Sequence, residues 1–213
     1  MSTRKTLVFI DTSSLLVSCW KGDDRSGRAI THDVRKEELF WGDEVARLAT
    51  NGRLVLTARN YQELVKHSKS TVKRDLADRS KYVLEKLAPL IKAGTVEVVG
   101  DSNDPFADAV LLSVALKFRT QANLVFVTQD RALANDLLKI VAFESVRPRG
   151  GQTMDVRRVA GSGRVEAVGD RGRPAEPPRA LASGNRAGAS TSSVVEAEPP
   201  AKGWWQRARS GSS

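Results

Sequence analysis

Cysteine is nearly absent from this chain of 213 residues, where Cys19 stands alone. That excludes an internal disulfide and a cysteine-based zinc cage. Long apolar runs are missing as well. The longest are Leu7–Ile10 and Ala109–Leu116, the latter broken by Ser113. Neither approaches the ~20 apolar residues of a transmembrane helix. The apolar stretch after MSTRKT is too short for a signal peptide. No membrane partner is expected, and a reducing cytoplasm is the simplest compartment. No internal repeat is visible.

What is abundant is positive charge. The net charge is +9, with 24 Lys and Arg against 19 Asp and Glu in residues 1–150, and 10 against 6 in residues 151–213. Both parts are basic, which fits a polyanionic partner without naming one.

Composition changes near residue 150. Beyond it the chain is rich in Gly, Ala, Ser and Pro; Leu181 is its only leucine, and isoleucine and phenylalanine are absent. Such a segment buries too little apolar surface to offset the entropy of ordering it. The expected organisation is therefore one domain over residues 1–150 and a mostly disordered basic tail over 151–213. Met154–Ala160 is a candidate edge strand, and Gly161–Ser213 is expected to be disordered. In the tail, Trp204-Trp205 between basic residues reads either as a docking or base-stacking element or as a feature of no consequence.

Residues 5–148 alternate between strand and helix patterns. Thr6–Ile10 (TLVFI) is an uninterrupted apolar run of the kind found in a buried parallel strand. Further strands are expected at Arg53–Thr57, Thr95–Val99, Asn123–Thr128 and Phe143–Val146. Helices are expected from Val34 to about Ala49, Asn60 to Lys66, Thr71 to Ala93, Pro105 to Arg119 and Asp130 to Leu138. Asp33, Asp104 and Asp130 stand at cap positions, and Gly94 stops the longest helix. This alternation predicts an α/β fold with a parallel five-stranded sheet and helices on both faces. Ligands of such sheets bind beyond the carboxyl ends of the strands.

Acidic residues fall at that edge. Asp11 follows the first strand, Glu63 lies early in the helix after the second, Asp108 in the helix after the third, and Asp130 just beyond the fourth. Each also has a plainer reading: Asp11, Asp104 and Asp130 as helix caps, Asp108 as a complement to the helix dipole, and Glu63 as a solvated surface charge. Their recurrence at every connection is what singles them out. Neither Cys19 nor the two histidines, His32 and His67, belong to this set. Oxygen-only donors suit magnesium or manganese. Two carboxylates ~4 Å apart repel by roughly 4 kcal/mol at an effective dielectric of 20, and a divalent cation offsets that repulsion. Such a cation also activates water and stabilises charge on a phosphoryl group, so the pattern points to phosphodiester hydrolysis.

Three stretches carry a family resemblance. Val8-Phe9-Ile10-Asp11-Thr12-Ser13-Ser14, the helix opened by Asp108, and Val125-Phe-Val-Thr128-Gln-Asp130 resemble the PIN domain of metal-dependent ribonucleases, a family with toxin-type and RNA-processing members. Tyr61-Gln62-Glu63-Leu64 sits where that family places a further acid. The resemblance spans about residues 6 to 148. It implies a three-layer sandwich with strand order 3-2-1-4-5. It also implies that Asp11, Glu63, Asp108 and Asp130 are the catalytic residues and ligate magnesium or manganese. Ser13 and Thr128 would position the carboxylates or a water, with Asp104 and Asp136 as outer supports. The reaction implied is endonucleolytic hydrolysis of RNA, and an antitoxin or inhibitor protein and a homodimer are partners to consider.

Basic residues near Glu63 are candidates for holding RNA phosphates: Arg59, Lys66, Lys69, Lys73 and Arg74. Lys66, Lys69 and Lys73 share a helical spacing if the segment is continuous. The plainer reading is an ordinary solvated face. Two other metal-using folds fit less well. A haloacid-dehalogenase-type phosphatase needs a second aspartate where Ser13 stands, and an adhesion module with Asp-x-Ser-x-Ser fails at Leu15. A non-catalytic PIN-like module that binds RNA remains as the alternative to the enzyme.

Overall fold

The computed structural model describes residues 5–23, 28–101, 103, 106–143 and 151–168. All of them belong to one compact unit that reaches to Val168. In chain order its elements are β1 (Thr6–Ile10), α1 (Thr12–Val17), β2 (Trp20–Asp23), β3 (Arg28–His32) and α2 (Val34–Glu37). A π-helical segment (Glu38–Glu44) then leads into α3 (Val45–Asn51). There follow β4 (Arg53–Thr57), α4 (Ala58–Ser68), α5 (Arg74–Lys92), β5 (Val96–Val99), α6 (Ala107–Phe118), β6 (Asn123–Val127), α7 (Arg131–Ala142), β7 (Met154–Val159) and β8 (Val165–Ala167). Among the described residues no helix is long and apolar enough to cross a membrane.

The fold is α/β. A six-stranded sheet runs β5-β4-β1-β6-β7-β8, and helices flank it. The first five strands are parallel, and β8 returns antiparallel to β7. β1 is central, pairing with β4 on one side and β6 on the other. Its apolar run is explained by that position, because both of its faces are covered: Leu7, Val8, Phe9 and Ile10 are all buried. Each such side chain stabilises the fold by roughly 1.5–3 kcal/mol. Val8 and Ile10 join Leu54, Leu56, Leu64, Val83 and Leu87 in one core. Alternation sends Phe9 to the opposite face, where its ring stacks on Phe126 with centroids 5.3 Å apart.

The four strands nearest the sequence expectation take the places 3-2-1-4 of the expected order. The fifth place differs. It is held by Met154–Val159 rather than Phe143–Val146. The reason lies in α7, which continues to Ala142 with Ile140 buried and uses Phe143 as its C-cap. No residues are left to turn the chain before a strand at 143, and residues 144–146 lie outside the described residues. The sheet therefore extends past residue 150, and the reading of Gly161 onward as disordered is corrected over residues 161–168. There a turn and β8 are formed, with Val156, Val159 and Val165 buried. Gly163 is buried in that turn at φ +102, and a Cβ on it would stand 2.5 Å from the Lys36 carbonyl oxygen. The rest of the expected tail, 169–213, with Trp204 and Trp205, lies outside the described residues.

Two further features were not expected. The polar stretch after Cys19 forms the antiparallel pair β2–β3. The pair brings Trp20 and His32 against Tyr82 of α5, each ring meeting the others edge-on. Beneath them Glu37 accepts hydrogen bonds from His32 (2.6 Å) and Tyr82 (2.7 Å) and pairs with Lys86 (2.5 Å). The expected helix 34–49 is present, but its middle is wound as a π-helix that buries Phe40 and turns the Trp41 indole N–H toward Ser18 and Cys19.

Candidate functional site

The carboxyl ends of β1, β4 and β6 open onto one cleft of about 440 Å³. Its floor is Asp11. This residue follows β1 directly, and its backbone N–H donates to the Val127 carbonyl, 2.9 Å away on β6. It occupies the N-cap position of α1, yet its side chain makes no capping bond. The carboxylate is instead held by three side chains from three parts of the chain. Oδ1 accepts from Asn60 Nδ2 at 2.8 Å. Oδ2 accepts from Thr128 Oγ1 at 3.0 Å and from the Ser13 hydroxyl. Three of the four lone-pair positions of the carboxylate are thereby used, and one on Oδ1 is left. Asp11 is only 6 % exposed. Burial raises its pKa, the bonds from Ser13 and Thr128 oppose the rise, the negative Glu63 adds to it, and the Asn60 bond opposes it.

The hydroxyls that hold Asp11 also set the loop after β6. Ser13 Oγ accepts the backbone N–H of Gln129, and Thr128 Oγ1 accepts that of Asp130, both at 3.0 Å. Asp130 then caps α7: its Oδ1 accepts the N–H groups of Ala132 (2.7 Å) and Leu133 (3.1 Å). One oxygen suffices for the cap, and among the described residues Oδ2 carries no hydrogen bond. Cap and site residue are thus compatible roles for Asp130.

Glu63 and Asp108 complete the acidic set. Glu63 lines the cleft from α4, with Nε2 of His67 3.7 Å from its Oε1. Asp108 lines it from the first turn of α6. Burial raises the Asp108 pKa, and so in turn do the charges of Asp11, Asp130 and Glu63. The other three acids thus act on Asp108, and Glu63 acts on Asp11 as well. Among the described residues no ion pair neutralises Asp11, Asp108 or Asp130. Arg59 and Lys66 line the same cleft from α4.

Several anticipated residues stand elsewhere. Asp136 pairs with Lys139 (2.8 Å) and takes no part in the cleft lining. Its place on α7 is a turn and a half beyond the cap, too far along the helix to reach the strand ends. Lys69, Lys73 and Arg74 are exposed but do not line the cleft. The continuous helix that would have aligned them with Lys66 is broken between Ser68 and Arg74. Asp104 lies outside the described residues.

Asn60 is the residue of this candidate site that the sequence pattern does not single out. It is fully buried. Thr57 caps α4 by accepting the Asn60 N–H at 3.1 Å, and its hydroxyl also donates to Asn60 Oδ1. With Oδ1 so occupied, Nδ2 turns to Asp11 and to Thr12 Oγ1 (3.0 Å). The available signal was local: a threonine at a strand end followed three residues later by asparagine, the spacing of a helix cap. Gln62, His67 and Phe106 also line the cleft without having been anticipated.

The donor set fits a hard divalent cation, being made of carboxylate oxygens around one polar cleft. Among the described residues, however, no group of three or more His, Cys, Asp or Glu side chains is already arranged to hold a metal ion. Mutual repulsion opposes closer approach of like charges. Compared with known proteins, the chain matches no family model and no curated protein.

Proposed function

We propose that this chain is a metal-dependent endoribonuclease that hydrolyses RNA phosphodiesters at the cleft formed by Asp11, Glu63, Asp108 and Asp130. The observation that carries the reading is Asp11 itself: a buried carboxylate at a helix N-cap that does not cap, held by Asn60, Ser13 and Thr128 in a cleft that Glu63, Asp108 and Asp130 also line. A carboxylate placed this way costs stability unless a cation arrives to share it. The resemblance of the Asp11, Asp108 and Thr128-x-Asp130 stretches to the PIN family, and the strand order through the first four places, support the same reading.

The four acids would hold magnesium or manganese, which when bound activates water and stabilises phosphoryl charge. The roles of the chain's own groups follow from their positions. Ser13, Thr128 and Asn60 keep Asp11 in one rotamer, so no reorganisation is needed at reaction. Asp130 is fixed by its cap. Arg59 and Lys66 offset the negative field of the acids and draw phosphate into the cleft.

The test is cleavage of a panel of single-stranded and structured RNAs, with DNA controls, in manganese, magnesium or EDTA. Wild type should cut RNA only with metal, and Asp11→Asn should not cut. Wild-type-like cutting by both Asp11→Asn and Asp130→Asn would sink the site. RNA binding with no cutting in any metal would instead identify a non-catalytic RNA-binding module.

A further inference from the structure

We propose that Phe106 is the base-stacking residue of the cleft, seating an unpaired base of the strand whose phosphates lie on Arg59 and Lys66; the proposal rests on the nucleic-acid reading of the site.

Phe106 stands at the N-cap of α6, two residues before Asp108, and its carbonyl accepts the Val110 N–H at 3.2 Å. Helices prefer Ser, Thr, Asp or Asn at that position, because a side-chain oxygen satisfies a free N–H there. Phe106 offers none, so the helix gains nothing from it. Nor does the core, since the residue is 69 % exposed. Other exposed apolar residues, such as Val72, Leu116 and Phe143, lie off the cleft, where single exposed hydrophobics are common. Among the described residues two rings line the cleft, and the other, His67 on α4, has its Nε2 3.7 Å from Glu63, which leaves Phe106 as the apolar one. It lies on the α6 side, while Arg59, Gln62 and Lys66 line the cleft from α4.

An exposed ring and cations lining one cleft are the elements by which proteins hold single strands: the cations track the backbone and the ring takes a base by its π-face. A base within a duplex has both faces stacked and cannot use the ring without being unpaired. Phe106 therefore selects for an unpaired nucleotide next to the carboxylates.

The experiment uses the full chain carrying Asp11→Asn, so that RNA stays uncut, with and without Phe106→Ala or Phe106→Trp. The probes are short single-stranded oligoribonucleotides bearing 2-aminopurine, and matched oligonucleotides with one abasic position. The Asp11→Asn protein should quench 2-aminopurine on binding. Phe106→Ala should abolish the quench and weaken binding by roughly 5- to 150-fold, the loss of one stacked base. Phe106→Trp should restore both. For the best-placed abasic oligonucleotide, Phe106→Ala should change nothing. Equal affinity and equal quenching for all three proteins would overturn the stacking role while leaving the nuclease reading intact. Failure of the Asp11→Asn protein to bind any RNA at low salt would overturn the reading of the cleft and the stacking role with it.

Discussion

The side-chain amide of Asn60 donates to Oδ1 of Asp11 over 2.8 Å, joining residues 49 apart in sequence. The amide has no freedom to do otherwise, since Thr57 occupies its oxygen. The start of α4 and the end of β1 are thereby locked into one unit beneath the cleft. Asn60→Ala leaves Asp11 and Thr12 each short of a buried partner, and a loss of about 1–3 kcal/mol is expected by chemical denaturation. Asn60→Asp keeps the shape but faces one carboxylate with another. At neutral pH its RNA cleavage should fall more than that of Asn60→Ala. Retention of full activity by Asn60→Asp would show that the bond is structural alone.

Acidity and stability are linked at the cleft with a definite sign. Burial raises Asp11 and Asp108 in the fold, so the folded chain binds these protons more tightly than the unfolded one. The two groups therefore subtract stability as pH rises from the ordinary aspartate range through their raised folded values, and the penalty is complete above those values. In EDTA at neutral pH, Asp108→Asn should melt no lower than wild type, and the advantage should vanish below the ordinary aspartate range. A markedly lower melting temperature for Asp108→Asn in EDTA would refute the electrostatic account.

Magnesium or manganese should reverse that order. A ligand at a hundredfold excess over its dissociation constant stabilises by about 2.7 kcal/mol. Wild type should gain melting temperature with millimolar metal, and Asp11→Asn and Asp108→Asn should gain little. Calorimetric titration with the metal alone provides the second reading. An equal gain in all three proteins would place the metal elsewhere.

The Glu37 cluster is expected to serve stability and not the cleft. Burial alone would raise the Glu37 pKa, but bonds from Lys86, Tyr82 and His32 together bring it below the ordinary value. Its contribution is then complete at neutral pH and lost as pH falls from the ordinary glutamate range through the lowered folded value. Glu37→Gln should cost about 1–3 kcal/mol at neutral pH, and the gap to wild type should close in acid. RNA cleavage per folded molecule should not change.

Residues 151–168 are part of the sheet. A chain ended at Val168 should unfold cooperatively. One ended at residue 150 gives up Val156, Val159 and Val165, each buried side chain stabilising by roughly 1.5–3 kcal/mol, and leaves the β6 edge unpaired. Against a typical total of about 5–15 kcal/mol, that loss should abolish a sharp transition. Gly163→Ala tests the turn itself, and the combination of positive φ and the Lys36 carbonyl should cost on the order of 1–3 kcal/mol.

Much of this molecule is legible in its sequence. The TLVFI run requires burial on both faces, and only a central strand provides that. Asp11, Glu63, Asp108 and Asp130 are assigned to one edge by the alternation of strand and helix, because every parallel strand ends on the same side. These inferences depend on period and polarity, which are local properties of the chain. Tertiary structure decided the rest. Asn60 looks like a helix-cap partner until β1 is brought beside it. Met154–Val159 outcompetes Phe143–Val146 for the fifth place because α7 runs on to Ala142. Lys69 and Lys73 part from Lys66 because the chain breaks between α4 and α5. A sheet edge or a buried hydrogen bond can be filled by any segment of compatible chemistry, and which segment fills it depends on chain paths that no local pattern records.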